Sequence, residues 1–259
     1  MQGNELFRAG ARILMPILGV NPRVQNVIEA IIGSGEEPAD EQDGQDPRGA
    51  ILELQRLKAA EGAVILIVGA IETGKTVLAL KLAQYLESPT LMVTPFEKPP
   101  SWIKKVEFDH VTKWITEKDY YHLPPGCVLV LDDLPAYASI RKLGTTEMNA
   151  MESIVPVVRH WGEDEGFEQK GIKIVFITQT TGFVDKYFGQ GSTVFYKPLP
   201  IFYADTERGA SKKMADRAME FFRQFNEEEQ KRYAWMVTQR FEGPITIAMP
   251  TTRTTYREL

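Results

Sequence analysis

The sequence has little of what marks a secreted, disulfide-stapled or metal-caged protein. It holds one cysteine, Cys127, which excludes a disulfide framework and a multi-cysteine metal site and fits a reducing compartment. Its three histidines, His110, His122 and His160, lie too far apart for a zinc motif. Long apolar runs are missing too. The most apolar early stretch, Ile13-Leu14-Met15-Pro16-Ile17-Leu18-Gly19-Val20, is too short to span a bilayer and carries a proline, so neither a signal peptide nor a transmembrane helix is expected. Nor is there an excess of basic charge. With 30 Lys and Arg against 35 Asp and Glu, the net charge of −5 argues against a surface coated in positive charge for nucleic acid. It leaves open a protein that confines its positive charge to a pore. No internal repeats occur.

What remains is an ordinary globular composition over 259 residues, enough for one large core with appendages rather than two equal domains. Residues 1–33 carry apolar side chains at helical spacing (Leu6, Ile13, Leu14, Ile17, then Val24, Val27, Ile28, Ile31, Ile32) and are expected to form an N-terminal helical arm, broken near Gly19 to Pro22. Residues 34–48 are acidic and nearly devoid of apolar side chains. Burial there cannot offset the entropy of ordering, so a flexible linker is expected. The main domain then runs over 49–259. Helix 49–60, strand 63–68, helix 75–87, strand 90–94, strand 127–131, a helical stretch at about 145–161, strand 172–178 and strand 193–196 alternate as in an α/β protein with a mainly parallel central sheet flanked by helices. Residues 206–241 read as a helical pair forming a helical C-terminal part, followed by a short strand at 245–248.

Gly69-Ala-Ile-Glu-Thr-Gly-Lys-Thr76 matches G-x-x-x-x-G-K-[ST] between a strand and a helix, which predicts a P-loop NTPase fold. Gly69 and Gly74 permit tight backbone turns. The loop from Gly69 through Glu72, Thr73, Gly74, Lys75, Thr76 and Val77 is expected to cradle phosphates with its amides and the helix N-terminus. Lys75 should reach the β- and γ-phosphates of ATP, and the Thr76 hydroxyl should ligate Mg²⁺. Val128-Leu-Val-Leu-Asp132-Asp133 is a second strand end. There Asp132 is the candidate metal holder, through water. Asp133 is either the general base for the attacking water or the cap of the next helix, and Glu72 is a rival base. Ile174-Val-Phe-Ile-Thr178-Gln179 ends another buried strand in a polar pair, and Gln179 suits a sensor of the γ-phosphate or the attacking water. Arg159, in Val-Val-Arg-His-Trp, is either a cation for the transferring phosphoryl group at a subunit boundary or a surface arginine at a helix end, with Arg141 as the substitute. The basic pairs Lys104-Lys105, beside Trp102, and Lys212-Lys213 are either solvated surface charges or a face for a polyanion such as DNA.

The order of these elements, with Phe195-Tyr196-Lys197-Pro198-Leu199 after the glutamine strand, resembles the FtsK/HerA superfamily of DNA-translocating ATPases over roughly residues 60–200. The small size resembles the genome-packaging ATPases of tailless, often membrane-containing, double-stranded DNA viruses. In that family the second motif usually ends Asp-Glu; here it is Asp132-Asp133. The resemblance implies a homo-oligomeric ring, ATP and Mg²⁺ as cofactors, double-stranded DNA in the pore, and a location in the host cytoplasm or the virion. The apolar spacing of the arm leaves two readings: packing on its own domain or a neighbour, or contact with a capsid or internal membrane. A small-molecule or nucleoside kinase and a nucleotide-gated assembly protein are the alternatives.

Overall fold

The computed structural model describes residues 47–95, 97, 99–117, 119, 122–132, 171–179, 193–203 and 209–247. Strand β1, Ala63–Val68, is apolar throughout, and its side chains alternate between two cores. Val64, Leu66 and Val68 enter one core and Ile65 and Ile67 the other. A strand buried on both faces belongs inside a covered sheet. Helix α1, Pro47–Ala59, precedes it and starts within the last two residues of the acidic segment. Helix α2, Lys75–Leu86, follows it. Next come β2 (Thr90–Val93), β3 (Ile103–Lys105), α3 (Phe108–Thr116), β4 (Val128–Leu131), β5 (Lys173–Thr178) and β6 (Thr193–Tyr196). The chain goes on through α4 (Gly209–Phe222), α5 (Glu227–Gln230), β7 (Tyr233–Val237) and β8 (Glu242–Thr246).

The described strands form one sheet in the order β3-β2-β4-β5-β1-β6-β7-β8. The six from β3 to β6 are mutually parallel, and β7 and β8 extend the sheet as an antiparallel hairpin. One face is covered by α3 and α4 through Phe108, Val111, Ile115, Ala215, Ala218 and Phe222. The other is covered by α1 and α2 through Leu54, Leu57, Leu78, Leu80, Leu82 and Leu86. Burying each large aliphatic side chain contributes about 1.5–3 kcal/mol, so α2 is a firm base for the loop that precedes it.

The expected α/β architecture with a mainly parallel sheet is present. The helical pair at 206–241 is not. Helix α4 covers the first part, α5 is a short helix started by an Asn226–Glu229 capping box, and the chain then turns into β7. Tyr233-Ala-Trp-Met-Val237 is apolar at every position, so its periodicity cannot separate buried strand from buried helix. The Thr238 amide bonds the Phe241 carbonyl at 2.8 Å and folds the chain back into β8. That last strand lies at 242–246 rather than 245–248. Gly243 and Pro244 disguise it, and a proline is tolerated because β8 is an edge strand. Strand β3 and helix α3 went unread. The arm 1–33, the acidic segment to residue 46 and the helical stretch at 145–161 lie outside the described residues.

Candidate active site

The phosphate-loop motif spans the gap between β1 and α2, and neighbouring strand ends grip its root. The Gly69 amide donates to the Thr178 carbonyl at 3.1 Å and the Ala70 amide to the Pro198 carbonyl at 2.7 Å. In return the Lys197 amide donates to the Val68 carbonyl at 2.7 Å. The two glycines serve different ends. A Cβ on Gly69 would fall 2.6 Å from the Lys197 Cβ, so this glycine permits close approach. Gly74 has φ 87°, in the left-handed region, and leads directly into α2. Glu72, exposed at the loop's tip, is also left-handed at φ 64°.

One carbonyl organises the loop interior. Ala70 O accepts the Thr73 hydroxyl at 2.8 Å and the Lys75 ammonium at 2.6 Å. Lys75, Thr76 and Val77 form the first turn of α2, where backbone amides have no helical acceptor and the helix dipole favours an anion.

Asp132 stands just past β4, almost buried at 6 % exposure. Its amide donates to the Val93 carbonyl at 2.9 Å. Its carboxylate accepts the Thr76 hydroxyl at 3.3 Å and the Thr94 hydroxyl at 3.1 Å. The two sequence motifs, 56 residues apart, therefore meet side chain to side chain. Strand β5 pairs with both β1 and β4, with Val68 opposite Thr178 and Leu131 opposite Phe176. Gln179, half-buried, thus follows the strand that lies between the loop and Asp132, at the same carboxyl edge. Ligands collect at that edge in open parallel sheets. Asp133, Arg159 and Arg141 lie outside the described residues.

The basic pairs fare differently. Lys104 is exposed on β3 at the sheet edge, beside Trp102 at 37 % exposure, while its neighbour Lys105 is half-buried. Lys212 is bonded to Asp216 at 3.1 Å and lies over the Tyr203 ring, leaving Lys213 as the exposed member.

Sequence reasoning missed two residues. Thr94 stands just past the buried strand β2, and its hydroxyl fixes the Asp132 carboxylate. Lys197, 0 % exposed, walls the root of the loop with its Cα and Cβ. Its ammonium donates to the carbonyls of Gln230, Lys231 and Tyr233, and burial pulls its pKa down to about 7. Tyr196-Lys197-Pro198 gives no local sign of this, because lysine is rarely buried without a carboxylate.

No protein-family model matches the chain, and no curated protein does. Solved structures do. The fold is similar to that of the genome packaging NTPase B204 from Sulfolobus turreted icosahedral virus 2 in complex with sulfate. The TM-score is 0.53 at 12% identity, covering 73% of this chain and 98% of that one. The same enzyme in complex with ATP-gammaS gives 0.52 at 12% identity, over 74% and 99%. B204, the DNA-packaging ATPase from Sulfolobus turreted icosahedral virus, gives 0.50 at 12% identity, over 73% and 99%. At that identity the likeness is one of fold. The P-loop NTPase fold expected from the motifs is present, and the resemblance to packaging ATPases is met at the level of the fold.

Proposed function

We propose that this chain is an ATP-hydrolysing DNA translocase, a viral genome-packaging ATPase that acts as a homo-oligomeric ring. The observation that carries the reading is the meeting of Thr76 with Asp132, 3.3 Å apart, at the carboxyl edge of a parallel sheet. The fold's likeness to packaging NTPases supports it.

On this reading the loop amides and the α2 N-terminus receive the phosphates of ATP. Lys75 exchanges its bond to Ala70 O for phosphate oxygens, and Thr73 keeps that carbonyl in place. The Thr76–Asp132 pair offers a hydroxyl and a carboxylate, with no nitrogen or sulfur. Among the described residues no group of three or more His, Cys, Asp or Glu stands together, so no all-protein metal cage is present there. That donor set fits Mg²⁺, a hard ion that keeps waters and binds phosphate oxygens beside one or two protein ligands. Thr76 and Asp132 would hold it, and it would neutralise charge on the β- and γ-phosphates. Thr94 keeps the carboxylate turned toward the loop. Asp133 takes the proton of the attacking water, and Gln179 orients that water or senses the γ-phosphate. Arg159 of a neighbouring copy stabilises the transferring phosphoryl group. The arm, 1–33, takes the contact with a capsid or internal membrane.

The test is ATP turnover by the full chain with and without duplex DNA at low salt, beside a measurement of oligomeric mass. Duplex DNA should raise turnover, and its affinity should fall steeply with salt as counterions are released. The Lys75→Ala variant should be silent. Turnover indifferent to DNA in the oligomer, or phosphoryl transfer to a small acceptor, would overturn the translocase reading.

A further inference from the structure

Lys197, 0 % exposed, is the most deeply buried charged group among the described residues, and the chemistry above gives it no task. Among the described residues it has no carboxylate partner; its bonds go to the carbonyls of Gln230 at 3.2 Å, Lys231 at 2.8 Å and Tyr233. In its protonated form the amine has three N–H donors, and the match to three acceptors is then complete. Those carbonyls lie where α5 ends and β7 begins. A helix end presents unsatisfied carbonyls with partial negative charge, which favours a cation. The corner is itself stiff. The Asn226–Glu229 capping box fixes its start, and the Gln230 side chain donates to the Phe222 and Phe225 carbonyls at 2.8 and 3.0 Å.

At the other end of the same residue lies the phosphate loop. The Lys197 Cβ packs against Gly69, its amide holds the Val68 carbonyl, and the next carbonyl, that of Pro198, receives the Ala70 amide. Burying an ammonium away from any counter-ion is costly unless its hydrogen bonds are made. The side chain therefore cannot leave its three acceptors freely, and the backbone at 197–198 cannot drift while it stays. We propose that Lys197 is a positioning residue of the phosphate loop, tying the root of the loop at Gly69 and Ala70 to the corner between α5 and β7. The proposal rests on reading Gly69 to Thr76 as the nucleotide site.

Hydrogen–deuterium exchange on the full chain, alongside binding of ATPγS with magnesium, tests this. Lys197→Met keeps an unbranched stem and removes every donor; Lys197→Gln keeps two N–H donors on a shorter stem. In Lys197→Met the amides of Gly69 and Ala70 should exchange at least about tenfold faster, while those of Ile65 to Ile67 stay unchanged. The ATPγS Kd should rise by about tenfold or more, with Lys197→Gln between the two. A folded Lys197→Met with wild-type exchange at 69–70, or with a wild-type Kd, overturns the proposal. If neither variant folds, the wild-type protein decides. ATPγS should then slow exchange at 69–70 and at 231–233 together, and protection confined to 69–70 overturns the link. A wild-type chain that binds no nucleoside triphosphate refutes the nucleotide reading instead, and the ligand-free exchange comparison still judges Lys197.

Discussion

Replacing Gly69 with alanine isolates what the first glycine of the phosphate-loop motif does. Gly69 is not among the residues with positive φ, so backbone strain is not the issue. Space is. The new Cβ would lie 2.6 Å from the Lys197 Cβ, 3.0 Å from the Thr73 hydroxyl oxygen and 3.3 Å from the Lys197 Cα. Ordinary van der Waals contact begins at 3.4 Å, so the two backbone segments must part by roughly 1 Å. Thr73 can rotate away, but Lys197 is held by three carbonyls and by strand pairing. The separation therefore falls on the bonds between these segments, Ala70 N to Pro198 O and Lys197 N to Val68 O, both 2.7 Å. Overpacking of this kind costs about 1–3 kcal/mol, and a displacement of about 1 Å in groups that position a substrate can cost about 100-fold in rate. Urea unfolding should show a loss of stability within that range. Titration with a fluorescent ATP analogue should show affinity weakened by at least about tenfold. Wild-type stability together with wild-type affinity would refute the claim that Lys197 forms the wall of the loop.

Thr94→Val keeps the shape at the end of β2 and removes the hydroxyl that fixes Asp132, so the magnesium concentration for half-maximal turnover should rise several-fold while magnesium-free nucleotide binding is unchanged; an unchanged magnesium titration would show that Thr76 alone orients the carboxylate. Asp133→Asn should bind ATP and hydrolyse it at least about 100-fold more slowly, whereas a near-normal Asp133→Asn beside a dead Glu72→Gln would move the base into the loop. Arg159→Ala and Lys75→Ala subunits, each inactive alone, should regain ATPase activity on mixing if the arginine acts across an interface, and a mixture that exchanges subunits yet stays dead would place its action within one subunit. Cys127 is buried with its thiol pushed up from an ordinary 9.0 to about 12, so its thiolate fraction near neutral pH is lowered about 1,000-fold. Alkylation should then require unfolding, and fast labelling of the native chain would contradict its place in the core.

The features legible in the sequence are those whose physics is local. An apolar run flanked by glycine, followed seven residues later by Lys-Thr and a helical pattern, fixes strand, loop and helix together, because phosphate binding by backbone amides needs all three in that order. Asp132 was legible for the same reason, at the end of four apolar residues. Tyr233 to Val237 were not, because a fully apolar pentapeptide has no period to read. Neither was the strand order. That β5 separates β1 from β4, bringing Gln179 to the same carboxyl edge as the loop and Asp132, follows from pairing between segments far apart in the chain.

Thr94 and Lys197 mark a different boundary. Each is defined by partners remote in sequence, 38 residues away for Thr94 and 33 to 36 for Lys197. Each side chain also runs against its local expectation. A threonine at a strand end is ordinary β chemistry until a carboxylate is brought to it. A lysine before a proline reads as a solvated turn until a helix end and a strand start supply three carbonyls in one place. The acceptors are main-chain atoms, so their side-chain identities, Gln, Lys and Tyr, carry no trace of the bonding. A lysine salt-bridged to an aspartate would leave two charged letters to match; a lysine bonded to carbonyls leaves one. The support of the phosphate loop is therefore written in the fold, and the substitution that probes it has to be made at Lys197 itself, because its acceptors are main-chain carbonyls that no side-chain substitution removes.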